Sequence, residues 1–118
     1  MKIFRFDPEV GRRMDQFGSV HAVLSRIVRL TAGAQVSCMC LSPDGGVGYH
    51  QAAMPQLFLV VQGEGWVRGE TPERVPVRPG LAAFWDRGEW HETATTTGLT
   101  AIVIESEALA PAEFMPVG

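Results

Sequence analysis

The side chains in this sequence best suited to metal or acid–base chemistry are three histidines, His21, His50 and His91. The short catalytic motifs that this sequence partly matches are all incomplete. His91 and Glu92 begin like the zinc motif His-Glu-x-x-His, but position 95 is threonine and the segment is predicted to be a strand. Gly63-Glu64-Gly65 begins like a nucleotide-binding loop, but position 68 is arginine and no helix is predicted to follow. No Gly-x-Ser-x-Gly elbow is present, although a dispersed Ser/His/Asp triad stays open.

Cys38 and Cys40 are the two cysteines of the chain. If they lie on a strand, their side chains point the same way from Cα atoms about 6.5 Å apart, a spacing that strains a disulfide. We therefore expect two small buried apolar residues in a reducing, cytoplasmic compartment. Thiolate metal ligation and redox chemistry are the alternatives.

Short β-strands separated by turns are the elements that must position these side chains. A dense turn signal runs from Ser42 to Gly46, and Gln62 to Gly65 predicts a tight hairpin. Turns recur about every 8–12 residues, and no amphipathic helix of ten or more residues is evident, so we predict an all-β sandwich or closed barrel. About nine strand candidates are expected, at 20–30, 34–42, 49–52, 57–61, 66–68, 75–77, 82–85, 91–96 and 99–104.

Length and charge narrow the classes of protein further. The chain has 118 residues and a net charge of −3, with 13 glycines and 8 prolines spread along it. No basic cluster suits a nucleic acid, and no apolar run approaches the roughly 20 residues that span a bilayer. The first residues lack the apolar core of a signal peptide. We expect one cytoplasmic domain, 1–118, with a barrel core at about 20–106 and an irregular C-terminal strap at 107–118.

The segment that ends at Gly63 resembles the first signature motif of the cupin superfamily. That motif ordinarily reads Gly, five residues, His-x-His, three or four residues, Glu, six residues, Gly. His50 occupies the first histidine position, Ala52 the second, and Gln56 the glutamate position. The opening glycine, Gly45 or Gly46, is displaced by one or two residues.

A second segment resembles the other cupin motif, which ordinarily reads Gly, five residues, Pro-x-Gly, two residues, His, three residues, Asn. Gly80, Gly88 and His91 match at the usual spacing, whereas Asp86 replaces the proline and Thr95 the asparagine. The two motifs span about half of the chain. The resemblance implies a double-stranded β-helix, or jelly-roll barrel, with a metal or ligand site inside and a tendency to form homodimers.

The resemblance places a metal site at His50, Gln56 and His91. Two imidazoles and an amide oxygen suit Fe, Mn, Cu, Ni or Zn better than Mg or Ca. Alanine at position 52 leaves one coordination position for substrate or water, and Ala52 and Phe58 are expected to line the pocket. With glutamine in place of glutamate, the +2 charge of the ion would be uncompensated, so we expect weaker metal retention and stronger attraction for anions.

Such a site implies dioxygenation, isomerisation or decarboxylation of a small oxygenated, often anionic molecule. The alternative is a metal-free pocket in which Gln56 hydrogen-bonds His50 and the barrel binds a sugar or another small effector without catalysis. His21 could supply a third imidazole to the site if its side chain faces the barrel interior. A structural role as a homodimer joined through an edge strand also stays open. Nucleic acid and membrane are not expected partners.

Overall fold

The computed structural model describes residues 1–16 and 19–118, and its regular secondary structure consists almost entirely of β-strands. Two short 3-10 turns, at Pro8–Val10 and Pro111–Glu113, accompany them. The described part of the chain contains eleven strands, numbered in chain order: β1 Lys2–Arg5, β2 Arg12–Met14, β3 Ala22–Leu24, β4 Gln35–Leu41, β5 Gly46–Gln51, β6 Gln56–Gly63, β7 Gly65–Arg68, β8 Val75–Val77, β9 Leu81–Trp85, β10 Trp90–Ala94 and β11 Leu99–Glu105. Among these residues, none forms a helix with the length and hydropathy needed to cross a lipid bilayer.

Two antiparallel sheets form the body of the molecule. One has five strands in the order β1-β9-β6-β11-β4, and the other has four in the order β5-β10-β7-β8. The short strands β2 and β3 pair separately. Side chains of the two sheets meet in a core, as a two-layered β-structure requires. The predicted all-β jelly-roll architecture is confirmed.

Several consecutive strands belong to different sheets, which corrects the predicted hairpin at Gln62 to Gly65. Strand β6 lies in the five-stranded sheet, whereas β7 pairs with β8 and β10 in the other. Gly63 has a φ of +77°, and a Cβ there would lie 2.2 Å from the carbonyl oxygen of Gly98. The glycine therefore lets the chain turn a corner between sheets against the neighbouring turn.

Strand β6 is buried on both of its faces from Leu57 to Val60. Phe58 and Val60 pack between the sheets, while Leu57 and Leu59 pack on the outer face of the five-stranded sheet. Burial of each such side chain stabilises the fold by roughly 1.5–3 kcal/mol. The predicted continuous burial stops one residue early, because Val61 is 46% exposed.

The barrel extends beyond the predicted core of 20–106. Strand β1 pairs with β9, and its Phe4 is 1% exposed in the outer core. The strap at 107–118 returns to this edge, buries Met115, and bridges Phe4 through Val117. Only Ala22–Leu24 of the predicted strand at 20–30 is a strand.

Candidate functional site

A cavity of about 150 Å³ lies between the two sheets on the side of the edge strands β4 and β5. Strands from both sheets contribute to its wall. The lining residues are Ser37, Cys38, Met39, Val47, His50, Gln56, Phe58, Trp85, His91, Thr93, Val103 and Glu105. The structure thus brings His50, Gln56, Phe58 and His91 together as four of the five predicted site residues.

His50 and His91 are directly opposite each other on β5 and β10. Their ring centroids are 4.3 Å apart. Nδ1 of His50 lies 2.7 Å from the carbonyl oxygen of Gly48, and Nδ1 of His91 lies 3.3 Å from that of Glu89. A carbonyl oxygen can only accept, so both Nδ1 atoms donate, and both Nε2 atoms keep a lone pair.

The two histidines differ in their surroundings. His91 is 4% exposed and stacks on the indole of Trp85, with ring centroids 4.4 Å apart. Burial lowers the pKa of His91 below its ordinary value, and the nearby His50 lowers it further, against a rise from the hydrogen bond to Glu89. His91 is therefore neutral near pH 7, whereas His50 is solvent-exposed at the cavity mouth.

Glu105 is a cavity residue that the sequence analysis missed. It lies directly opposite Gln56 in the pairing of β11 with β6, and both side chains line the cavity. The predicted strand ended at 104. Its alternation of inward residues, Ala101 and Val103, continues to Glu105 when the strand is extended by one residue. The carboxylate adds an acidic group to the cavity wall that the predicted charge balance of a +2 ion at this site did not include.

Ala52 does not line the cavity, although it was predicted to do so. It lies beyond the end of β5 at Gln51 and is 7% exposed. Its N–H donates to the carbonyl oxygen of Glu89, and its carbonyl accepts from the N–H of Gly88. The inward-outward alternation that the prediction assumed ends with the strand, and Ala52 instead joins the turn before β10.

His21 and the cysteines also differ from expectation. His21 is exposed, has a φ of 55° and lies immediately before β3, between the two strands of the β2–β3 pair, and it is not among the residues that line the cavity. Cys38 and Cys40 are both exposed rather than buried. Their strand, β4, is an edge strand that pairs with β11 alone among the described strands, and neighbouring elements leave it uncovered.

The cavity combines two imidazoles, one amide and one carboxylate. In the described ranges, no cluster of three or more His, Cys, Asp or Glu side chains is arranged to hold a metal ion. The donor types on the wall, the imidazoles of His50 and His91 and the amide of Gln56, are those that suit a borderline transition metal with open positions. Two nitrogen ligands with oriented second nitrogens are the observation in favour of that fit.

Comparison with known proteins gives structural matches only, since no family model and no curated protein sequence matches this chain. A cupin superfamily protein from Desulfitobacterium hafniense DCB-2 matches with a TM-score of 0.58 and 18% identity, over 72% of this chain and 77% of its own. A cupin-2 domain containing protein from Shewanella frigidimarina matches with a TM-score of 0.55 and 15% identity, over 68% and 76%.

A predicted oxalate decarboxylase from Thermotoga maritima is also similar, with a TM-score of 0.54 and 28% identity. The match covers 58% of this chain and 62% of the other. The fold predicted from the motifs is confirmed.

Proposed function

We propose that this chain, which has the cupin fold, binds one divalent transition metal ion in its cavity and acts there on a small carboxylate or related oxygenated anion. The ligands would be Nε2 of His50, Nε2 of His91 and the amide oxygen of Gln56. Fe, Mn, Cu, Ni and Zn are the candidate ions, because two imidazoles favour them over Mg and Ca.

The observation that carries the proposal is the orientation of the two imidazoles. Each donates Nδ1–H to a backbone carbonyl, as metal-binding histidines usually do through their second nitrogen. Burial keeps His91 neutral, so no proton competes with a metal ion at its Nε2 near pH 7. Register between β5 and β10 holds both rings on the same wall.

The charge of the cavity wall favours an anionic ligand only when a metal ion is also bound. The cavity wall carries the carboxylate of Glu105 and has no lysine or arginine among its described residues. Without a cation, the wall repels an anion. With a divalent ion bound, the site is net positive by about one charge and attracts a carboxylate or enolate.

The size of the cavity limits the ligand. A volume of about 150 Å³ accommodates a molecule of about benzene size, and is below the range typical of drug-sized ligands. Phe58 and Trp85 give an apolar floor that excludes water from one side. A carboxylate of two to four carbons is therefore the substrate class that fits; the similar Thermotoga maritima protein is a predicted oxalate decarboxylase.

Glu105 is the residue that would transfer protons in this cavity. A bound divalent metal supplies Lewis acidity to an oxygen of the substrate. Decarboxylation and isomerisation also require a proton to be delivered to carbon or moved between carbons. Glu105 is half-buried on the wall, opposite Gln56, and can give or take that proton, whereas Thr93 donates its hydroxyl to the carbonyl of Trp66.

Metal content measured on untagged protein tests the proposal. The protein is stripped with chelator, reconstituted separately with Fe²⁺, Mn²⁺, Cu²⁺, Ni²⁺ and Zn²⁺, desalted, and measured by elemental mass spectrometry and thermal unfolding. At a free metal concentration of 100 Kd, the folded state gains about 2.7 kcal/mol. We expect one equivalent of at least one metal in the wild type and loss of that equivalent in His50→Ala/His91→Ala.

His21→Ala is the matched control, because this exposed histidine is away from the cavity and its loss should leave metal content unchanged. Failure of every metal to bind the wild type would contradict the proposal. It would favour the second candidate, a metal-free pocket for a neutral small effector. That candidate is favoured because, in the described chain, no three His, Cys, Asp or Glu side chains are arranged to hold a metal ion. Native mass spectrometry of the stripped protein would reveal such a ligand.

A further inference from the structure

Cys38 and Cys40 form a pair of adjacent thiols on β4, and Cys38 also borders the cavity. Their Sγ atoms are 3.8 Å apart, and both side chains are exposed. Two residues apart on a strand, they project from the same side, and both side chains have turned toward each other. The proposed function uses neither of them.

The distance between the sulfurs matches the bite of a single tetrahedral ion. Two sulfurs bound to one zinc ion at about 2.3 Å and at the tetrahedral angle are about 3.8 Å apart. Neither cysteine has to change rotamer or move the backbone to reach this separation. Linear two-coordinate ions require a wider separation, and a disulfide a much shorter one.

The thiol pair lies on the outer face of the five-stranded sheet. Cys38 is opposite Ile102 and Cys40 is opposite Thr100 in the pairing of β4 with β11. Ile102 packs in the outer core, whereas Ala101 and Val103 pack between the sheets. Opposite residues of antiparallel strands share a face, so the thiols point outward even though Cys38 also borders the cavity rim.

We propose that Cys38 and Cys40 form a second metal site, a bidentate dithiolate chelate for one soft tetrahedral cation such as Zn²⁺ or Cd²⁺. Both S–H bonds lose their protons to solvent, two metal–sulfur bonds form, and no atom changes oxidation state. Water completes the coordination. The site is independent of the cavity metal and stands whether or not the cavity binds one.

Because the two thiols are in contact, both lose their protons readily only when a cation is bound. The hydrogen-bonding contact with Cys40 raises the pKa of the Cys38 thiol, and partial desolvation adds to this effect. Two thiolates this close repel each other, so the second proton leaves readily only when a cation takes its place. Metal uptake should therefore release protons and strengthen as the pH rises.

Cadmium titration of the reduced, metal-free protein under anaerobic conditions tests the proposal. The readout is the ultraviolet charge-transfer absorption of cadmium thiolate, which histidine and carboxylate sites do not give. Two free thiols per chain are verified first by thiol titration. We expect the absorption to saturate at one equivalent of Cd²⁺ per chain, and Cys38→Ser and Cys40→Ser each to weaken binding about tenfold or more, because the second ligand of a chelate acts at high effective concentration.

His50→Ala/His91→Ala is the matched control and should keep the full absorption, since it removes cavity ligands and leaves the thiols. Both cysteines are exposed, so we expect each serine variant to fold like the wild type, and circular dichroism checks this. The proposal is overturned if the wild type gives no charge-transfer absorption, if saturation occurs at half an equivalent, or if either serine variant binds Cd²⁺ as tightly as the wild type. The last two outcomes would mean that the ion is shared between copies or held by one thiol.

Discussion

His91 on β10 and His50 on β5 are backbone register partners, and their imidazole rings are 4.3 Å apart. The pairing slips by one residue between His91 and Thr93, so a bulge follows the histidine pair. Bulges re-aim side chains and are common beside functional sites. The geometry of the pair is thus fixed by the sheet itself, and each histidine can be replaced without removing the other from the wall.

Gln56→Glu should strengthen metal binding and weaken the metal-free fold. The new carboxylate would lie directly opposite Glu105, and like charges in opposite positions destabilise a sheet by about 0.2–1 kcal/mol. With metal bound, the same carboxylate replaces a neutral amide as ligand and lowers the Kd. Thermal unfolding with and without the metal that the wild type prefers measures both effects.

Gln62→Glu is the matched control for that prediction. Gln62 is on the same strand but is exposed and pairs with Thr100, so it should change neither the metal-free stability nor the metal affinity appreciably. Equal effects of the two substitutions would mean that the cavity position of Gln56 is irrelevant to metal binding.

Acidification should destabilise the metal-free protein through His91. The pKa of His91 is lowered by burial, whereas in the unfolded chain it is ordinary, about 6.5. As the pH falls through 6.5, His91 binds a proton in the unfolded chain but not yet in the folded protein. The free energy of unfolding therefore declines until the pH reaches the lowered pKa of His91 in the folded protein. Urea unfolding from pH 7.5 to 5 in the presence of chelator measures the decline.

In His91→Gln this part of the pH dependence should disappear, because the position no longer titrates. His21→Gln is the comparison variant, and it should retain the decline of the wild type because His21 is exposed. An unchanged slope in His91→Gln would show that another group causes the acid sensitivity.

Gly63→Ala should be far more damaging than Gly88→Ala. Both glycines have positive φ, +77° and +81°, which costs an alanine about 1–2 kcal/mol. At Gly63 the added Cβ also meets the Gly98 carbonyl oxygen at 2.2 Å, whereas at Gly88 its nearest neighbour is Nε2 of Gln51 at 3.7 Å. We expect losses of about 2–5 and about 1–2 kcal/mol, respectively.

Chemical unfolding measures both variants, and Gly33→Ala serves as the reference because no atom lies within 4 Å of its added Cβ. Equal losses for Gly63→Ala and Gly88→Ala would show that the corner between the sheets relaxes freely and that the contact with Gly98 carries no energetic weight.

We propose that the chain forms a homodimer through the free edge of β4, and predict that Val36→Lys converts it to a monomer. Val36 is 62% exposed on this seven-residue edge strand. Lysine on an edge strand opposes strand addition by charge repulsion and solvation.

Sedimentation velocity of the wild type and the Val36→Lys variant at several protein concentrations measures the outcome. Val23→Lys, on the separate β2–β3 pair, is the control, and a wild-type monomer at all concentrations would contradict the proposal.

The sequence was sufficient to predict the strands from β4 to β11 and the turns at Gly63, Gly80 and Gly88, because strand residues alternate and each of these glycines has the positive φ that other residues avoid. Strands β1 and β2 were not predicted, and only Ala22–Leu24 of the candidate at 20–30 is a strand. It was also sufficient to place His50, Gln56 and His91 at one cavity through the spacing of two motifs, and Phe58 there through its strand alternation with Gln56. Sheet membership was not predictable from local pattern, since a short glycine turn fits a hairpin and a corner between sheets equally well.

Ala52, Cys38 and Glu105 show where local pattern is insufficient within the site. The alternation that placed Ala52 inward fails because β5 ends at Gln51. The apolar character of Cys38 suggested burial, but exposure on β4 depends on what covers the edge of the sheet. Glu105 was missed because a charged residue at the end of an apolar run is read as the boundary of the strand rather than as its last inward position.

The position of β11 has a consequence for how the chain is made. This strand lies between β6 and β4 in the five-stranded sheet, yet it is the last strand in the sequence. During synthesis, β4 can find no partner, and β6 only one, until residues 99–105 have left the ribosome. The five-stranded sheet therefore cannot be completed until residue 105 has been translated, and until then β4 stays unpaired, as an exposed strand edge.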